Sequence, residues 1–345
     1  MALLYPILLG VTVAVGLWLL AVAGRAYALR LARGSASTLA LGATLLRFTW
    51  AGGVSVPLTW LPDLEPFALA FSSPGSELAV LAFWVLAIAM WLEPNGLTGA
   101  VSEPFWPGMA HVATALAAGA LTVTDFIPRV VSIDMVALIT FASLALWRSA
   151  RLSRSALVHL FVIFRLGDLS LLLLALWLGE RAGTYAIDAA LEAAKALPPA
   201  ERLLILSAGV AAAWVKLGLP PAHAWAQDVA HLAPAKRLVL LGSGLPVLGA
   251  YLLYRLRPLV ASLDAAPWLA GLGLLAALAS LGGLVRRNER LLATARLLRL
   301  HGALALVCLS TPSMRVYLWS FVPLRLATLL IEPSAGLDAA RARWP

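Results

Sequence analysis

The chain has 345 residues, 61% hydrophobic and only 12% charged. That balance excludes a soluble domain of this length and points to a polytopic membrane protein. The formal net charge of +9 suits a nucleic-acid binder in isolation, but its distribution along the chain excludes one.

About 20 apolar residues cross a bilayer. On that measure the pattern predicts an all-α membrane protein of about eleven spans: 2–24, 37–61, 67–92, 107–124, 126–147, 156–179, 203–219, 238–256, 265–285, 298–311 and 314–331. The first run has no preceding basic region and no cleavage site, so it reads as a span and not a signal peptide. The second contains Arg47. The connection at 180–202 holds "YAIDAALEAAKAL", closed by Pro198 and Pro199, and reads as a short amphipathic helix lying flat on the membrane. The seventh span ends in "AAAWVKLGLPPAHAW", where Lys216 precedes a break at Gly218, Pro220 and Pro221. The tenth is short.

With the N-terminus outside, "GRAYALRLARG", "WRSARLSR", residues 236–237, "RRNERLLATARLLR" and "ARARWP" fall on the inner side. They carry 15 Lys and Arg, against 7 in the outer connections. This is the positive-inside bias, so the basic charge reports orientation, and anionic lipid headgroups are its neighbours. Only the connection at 93–106 departs, with two Glu and no basic residue.

The single cysteine, Cys308, excludes an internal disulfide and a cysteine-based metal site, and five scattered histidines make no zinc pattern. There is no phosphate loop, dinucleotide fingerprint or haem-attachment pair. No cofactor and no catalytic site is expected in this chain.

The remaining 4 of 26 basic residues, Arg47, Arg165, Lys216 and Arg325, lie inside predicted spans, with Asp134 and Asp168. Each costs at least about 2.5–3.5 kcal/mol to place in a bilayer, so each must be paired, hydrated or functional. Mutual neutralisation is the plain reading. Arg165 and Asp168 fit it, standing at i and i+3 in "FRLGDL" where they meet on one helix face; Gly167 between them admits a neighbouring helix. Lys216 has no acid within a turn of its own helix. A broken helix at membrane depth is tolerated where it lines a cavity or is buried in protein, and a lysine there is able to exchange a proton. Asp134, midway along the fifth span, is the candidate partner.

"WVKLGLPPAHAWAQDV" resembles the broken seventh helix of the antiporter-like subunits of respiratory complex I, membrane-bound hydrogenases and multisubunit cation/proton antiporters. That family includes the membrane subunit of two-subunit inorganic-carbon uptake complexes. "HLFVIFRLGDLSLLLLAL" is similar to the sixth helix, "LPVLGAYLLYRLRPL" to the end of the eighth, "SIDMVALITF" to the fifth, "LVRRNERLLATARLLRLHGALAL" to the connection from nine to ten, and "SFVPLRLATLLI" to the eleventh. The resemblance covers roughly 105–331. It implies inverted five-helix repeats, each with a broken helix, and a line of charged residues at mid-membrane. It divides the chain into N-terminal helices (1–104), a complete first repeat (105–258), and a partial second repeat with a cytoplasmic tail (259–345).

By that resemblance Asp134 tunes Lys216, and Asp134, Lys216, His223, His301 and Arg325 form the proton path, with Arg165–Asp168 as a structural ion pair. Three positions depart. The fifth-helix glutamate is shortened to Asp134, the eighth-helix histidine falls at Leu241 (or Leu240), and the chain ends soon after Arg325. There Gly242 and Gly244 stand ready to admit water. The implied function is proton conduction within a multisubunit energy-coupled complex of a bacterial or archaeal inner membrane. The driving reaction would sit on a soluble or peripheral partner, an inorganic-carbon uptake protein or a redox module. The alternative is a degenerate, non-pumping subunit that anchors a partner.

Overall fold

The computed structural model describes residues 4–25, 27–49, 55–58, 67–93, 103–146, 154–284, 290–309, 311 and 314–331. The expected basic positions Arg148, Arg151, Arg286, Arg287, Arg341 and Arg343, most of the 93–106 connection and the predicted tail lie outside these residues. The described chain is helical apart from one hairpin. Five helical segments are long and apolar enough to cross a membrane: Leu4–Ala21 (α1), Gly75–Leu92 (α3), Phe126–Leu146 (α5), Leu157–Ala182 within α6 (Arg154–Ala182), and the compound segment Pro234–Arg255. The other predicted spans fall on α2 (Ala28–Thr49), α4 (Trp106–Thr122), α8 (Pro199–Leu217), α13 (Ala266–Leu284), α14 (Arg290–Cys308) and α15 (Met314–Ile331).

The compound segment is the axis of the bundle. Leu238, Leu241, Leu245, Leu248 and Leu253 along it are all buried, whereas α6 turns Leu166, Leu169, Leu173 and Leu176 outward. An interior filled by one helix and an outer rim of leucines is the pattern expected of a bundle in hydrocarbon, where apolar side chains cover the outside as well as the inside. Around the axis α1 packs on α4, α2 on α3, α6 on α8, α8 on α11 (Leu245–Arg255), and α13 on α14.

The second predicted span is displaced. Helix α2 starts at Ala28 and stops at Thr49, and the chain then forms an antiparallel hairpin of β1 (Ser55–Leu58) and β2 (Phe67–Ala70), in register Ser55↔Ala70 to Leu58↔Phe67. Gly52, Gly53 and Pro57 explain the early stop, since glycine and proline are the poorest helix formers. The hairpin is tied to the turn between α4 and α5. The Thr124 amide and hydroxyl both donate to the Ala68 carbonyl at 2.8 Å, and the Ala68 amide donates to Asp125 Oδ2 at 3.2 Å.

The helix expected to lie flat on the membrane does not offer its apolar face to lipid. It runs Ile187–Ala194 (α7), and Ile187, Ala190, Leu191 and Ala194 are buried against α6 and α12 (Arg257–Ser262). Asp188 on its other face pairs with Arg255. Helix α14 begins at Arg290, ahead of the predicted tenth span, so Arg296 and Arg299, expected in an inner connection, belong to a packed helix.

Candidate functional site

Helix α8 ends as its sequence demands. Gly218 takes φ +67°, ψ 41°, a left-handed conformation that glycine alone adopts without penalty. The Gly218 amide donates to Val215 O (3.1 Å) and the Leu219 amide to Trp214 O (3.2 Å), the paired closing bonds of a Schellman motif. Two indoles add to this: Trp214 Nε1 donates to Pro220 O at 2.9 Å, and Trp225 Nε1 gives Val215 O a second donor at 3.0 Å. Pro220 and Pro221 forbid continuation, and the chain re-enters a helix at Ala224–Ala230 (α9). Lys216 is thereby held in the last turn before the break, 1% exposed.

The ion pairs join four residues in one chain. Lys216 Nζ pairs with Asp168 Oδ1. Arg165 Nη2 lies 2.9 Å from Asp168 Oδ2 and 2.6 Å from Asp134 Oδ1; neither of those oxygens receives an aligned hydrogen bond, so these two contacts are ionic. Two cations alternate with two carboxylates and the assembly is neutral. Exposure falls along it, from 33% and 22% for the Arg165 and Asp134 side chains to 9% for Asp168 and 1% for Lys216. Helices α6 and α8 come close enough because Gly167 has no side chain: a Cβ there would stand 3.0 Å from Val215 Cβ. On the other side a Cβ at Gly249 would stand 3.0 Å from Lys216 Cβ, so α11 closes over the lysine stem. The Phe164 ring lies 5.7 Å from Lys216 Nζ and meets Trp225 edge-on at 5.5 Å.

The direct partner of Lys216 is thus Asp168, not Asp134. Asp134 reaches the lysine only through Arg165 and Asp168. The Arg165–Asp168 contact expected from i,i+3 spacing is present, but Asp168 uses its second oxygen for Lys216 and is not confined to a structural pair.

The other predicted path residues stand apart from this chain. His223, in the break, has Nδ1 3.2 Å from Pro221 O. His301 on α14 has its Nδ1 buried without a partner, and its carbonyl accepts the Tyr317 hydroxyl. Arg325 is 1% exposed; its Nε donates to Leu241 O at 2.6 Å and its Nη1 to Leu298 O at 3.0 Å. The backbone around Leu241 explains the first of these bonds. Residues Leu238–Ser243 form a π-helix, in which the Leu241 carbonyl would be closed by residue 246. Pro246 has no N–H, and Arg325 supplies the missing donor. A Cβ added at Gly242 would stand in ordinary contact with Leu326 and Val85 at 3.5 and 3.6 Å, whereas one at Gly244 would meet Leu240 O at 2.6 Å.

Glu77 and Arg129 are among the charged groups whose surroundings the sequence does not signal. Arg47 is paired with Glu77, an acid at the start of α3 that a span prediction beginning at 67 places inside a helix without marking its depth. Arg129 is 4% exposed, donates to Val123 O and lies 5.3 Å from the Tyr251 ring. Nothing in its local sequence signals burial.

Residues 123–296, half of the chain, match the family described as NADH:quinone oxidoreductase/Mrp antiporter, transmembrane. No match is found among curated protein sequences. Among solved structures, the fold is similar to a chain of the membrane-bound sulfane sulfur reductase, an archaeal respiratory membrane complex, with TM-score 0.80 and 19% identity over 94% of this chain and 55% of that one. It is also similar to a chain of the Mrp complex from Dietzia sp. DQ12-45-1b (TM-score 0.75, 18% identity, 95% and 63% covered). A third likeness is to a chain of respiratory complex I from Thermus thermophilus with bound NADH (0.74, 19%, 97% and 72%). The chain therefore spans 55% to 63% of the first two relatives' length. Together with the break at Lys216, the match over 123–296 shows that the chain belongs to the NADH:quinone oxidoreductase/Mrp antiporter family of transmembrane proteins.

Proposed function

We propose that this chain is a proton-conducting subunit of a multisubunit energy-coupled membrane complex, with Lys216 as the proton-exchanging group. The observation that carries the reading is one fully buried lysine, placed at a helix break and joined to Asp134 through Asp168 and Arg165. A lysine is able to release a proton and an arginine is not. In a neutral chain of alternating charges, moving the Arg165 guanidinium toward Asp134 leaves the Asp168 carboxylate to Lys216 alone and tightens that pair, whereas moving it toward Asp168 loosens the pair and frees Lys216 to give up its proton. Asp134 thus tunes Lys216 at one remove. The topology that goes with this reading has eleven spans, the N-terminus outside and the C-terminus inside, residues 105–258 forming the first repeat. His223, His301 and Arg325 belong to the onward route as polar groups; Arg325 contributes a fixed charge and no proton relay.

The driving reaction belongs to a partner, a redox module or an inorganic-carbon uptake protein, in line with the membrane complexes whose chains share this fold. A second reading, a non-pumping anchor, is favoured by Leu326, Val85 and Leu329, the apolar side chains that face Gly242.

Lys216→Ala and Lys216→Arg in the assembled complex discriminate the two readings. Both variants should assemble and lose proton-linked activity, Lys216→Arg nearly as completely as Lys216→Ala. Unchanged activity in both would leave the anchor reading standing.

A further inference from the structure

Helix α14 carries two guanidinium groups into the bundle. Arg296 and Arg299 stand three residues apart, 8% and 5% exposed, so they share a face and repel each other. Among the described residues no carboxylate pairs with either, and Arg296 Nη1 and Arg299 Nε are buried without any hydrogen-bond partner. Every other buried lysine or arginine of the described residues has an acid, a carbonyl or an aromatic face to meet. Arg325 has two carbonyls and Phe321, Arg129 has Val123 O and Tyr251, and Lys216 has Asp168.

The two arginines are not at a random place. One turn beyond Arg299, a Cβ on Gly302 would come 3.3 Å from Leu217 Cβ and Leu219 Cδ2, so α14 crosses directly over the break that ends the Lys216 helix. His223 lies in the same break within the field of Arg299. Its Nδ1 faces Pro221 O, which leaves Nε2 for another partner. A buried charge persists only when it is paired and hydrogen-bonded. Two guanidinium forks on one helix face, with an imidazole in the break that this helix crosses, match an oxyanion that takes several N–H donors at once.

We propose that Arg296 and Arg299, with His223 at the rim, form a binding site for a phosphate-class oxyanion, free or carried as the phosphodiester of a lipid headgroup. The site does not depend on proton conduction by Lys216, and it seats the anion against the helix break. Occupancy neutralises the two like charges and fixes the crossing of α14 over Leu217 and Leu219.

The test uses the full chain purified in a maltoside detergent, stripped of lipid and phosphate, with its thermal midpoint followed by tryptophan fluorescence. Inorganic phosphate in one arm and phosphatidylglycerol in the other are titrated against matched sodium chloride. A wild-type midpoint raised by a few degrees with phosphate identifies the free ion; a rise with phosphatidylglycerol alone identifies the headgroup. In either case the response should vanish in Arg296→Gln/Arg299→Gln. Without any anion Arg299→Gln should melt above the wild type, because it removes an unpaired buried charge. A lower midpoint for Arg299→Gln, or equal responses of wild type and double variant, would overturn the site. Equilibrium dialysis of radiolabelled phosphate and native mass spectrometry for retained phosphatidylglycerol, both on the wild type, keep the test decisive if the double variant does not fold: binding of neither ligand overturns it.

Discussion

Asp168 serves two cations, and that sets what its loss should do. Asp168→Asn leaves Lys216 buried without a counter-charge, and breaking a buried pair from one side costs about 3–5 kcal/mol. Lys216→Met in the same background removes the orphaned charge. The double variant should therefore be more stable than Asp168→Asn alone, and a double-mutant cycle on thermal stability should give a coupling of at least about 1 kcal/mol. Additive effects would mean that the two side chains do not meet in the folded protein. At this scale the sequence disclosed the members but not the wiring. Lys216 lacked an acid within a turn of its own helix, so its partner had to come from another span. Which of Asp134 and Asp168 it met depended on the rotation of α6 against α8, set by the contact of Gly167 with Val215. That rotation is a packing property with no local sequence signature.

The break after Lys216 was legible because its chemistry is local: Gly218 favours the left-handed turn that ends a helix, and Pro220 and Pro221 lack the N–H that a continuing helix needs. Replacing Gly218 by alanine should destabilise the protein by about 1–2 kcal/mol, since the left-handed conformation then carries a Cβ; that atom would also stand 3.0 Å from Ala226 Cβ. A thermal-melt comparison with Gly10→Ala, where nothing lies within 4 Å, isolates the effect; equal shifts would mean that φ at 218 is relaxed in the protein. The π-helix of the eighth span was not legible. "LVLLGSGLPVLG" reads as an ordinary apolar run, and the need for Arg325 at Leu241 O arises only once α15 is packed against it. The hairpin at 55–70 was misread for a related reason: hydropathy scores Val56, Leu58 and Phe67 alike whether they lie in a helix or a strand. Glycine and proline content was the better guide there, and it argued against a helix.

At the scale of the whole molecule the ion-pair chain has an open end. Its inner members, Asp168 and Lys216, are sealed by α8 and α11, while Arg165 and Asp134 remain 33% and 22% exposed on a face otherwise made of Val131, Met135, Val158, Val162 and Leu166. Hydrocarbon offers no hydrogen-bond partner to a half-exposed ion pair, so this face needs a protein surface or water against it. In the other direction His223 in the break has its Nδ1 against Pro221 O, and Leu217 and Leu219 pack on α14 beside His301. Among the described residues no hydrogen bond joins either end of the ion-pair chain to a further proton-carrying side chain. The chain reconstituted by itself in liposomes should conduct few or no protons, and Lys216→Ala should leave that low flux unchanged. Reconstitution with the membrane partners purified from the native complex should raise the flux several-fold, and the gain should disappear with Lys216→Ala. A pH-sensitive dye trapped in the vesicles reads both arms. Robust flux from the chain alone that depends on Lys216 would show that water completes the route without a second polypeptide. Flux that needs the partner and yet ignores Lys216 would place the proton route in the partner.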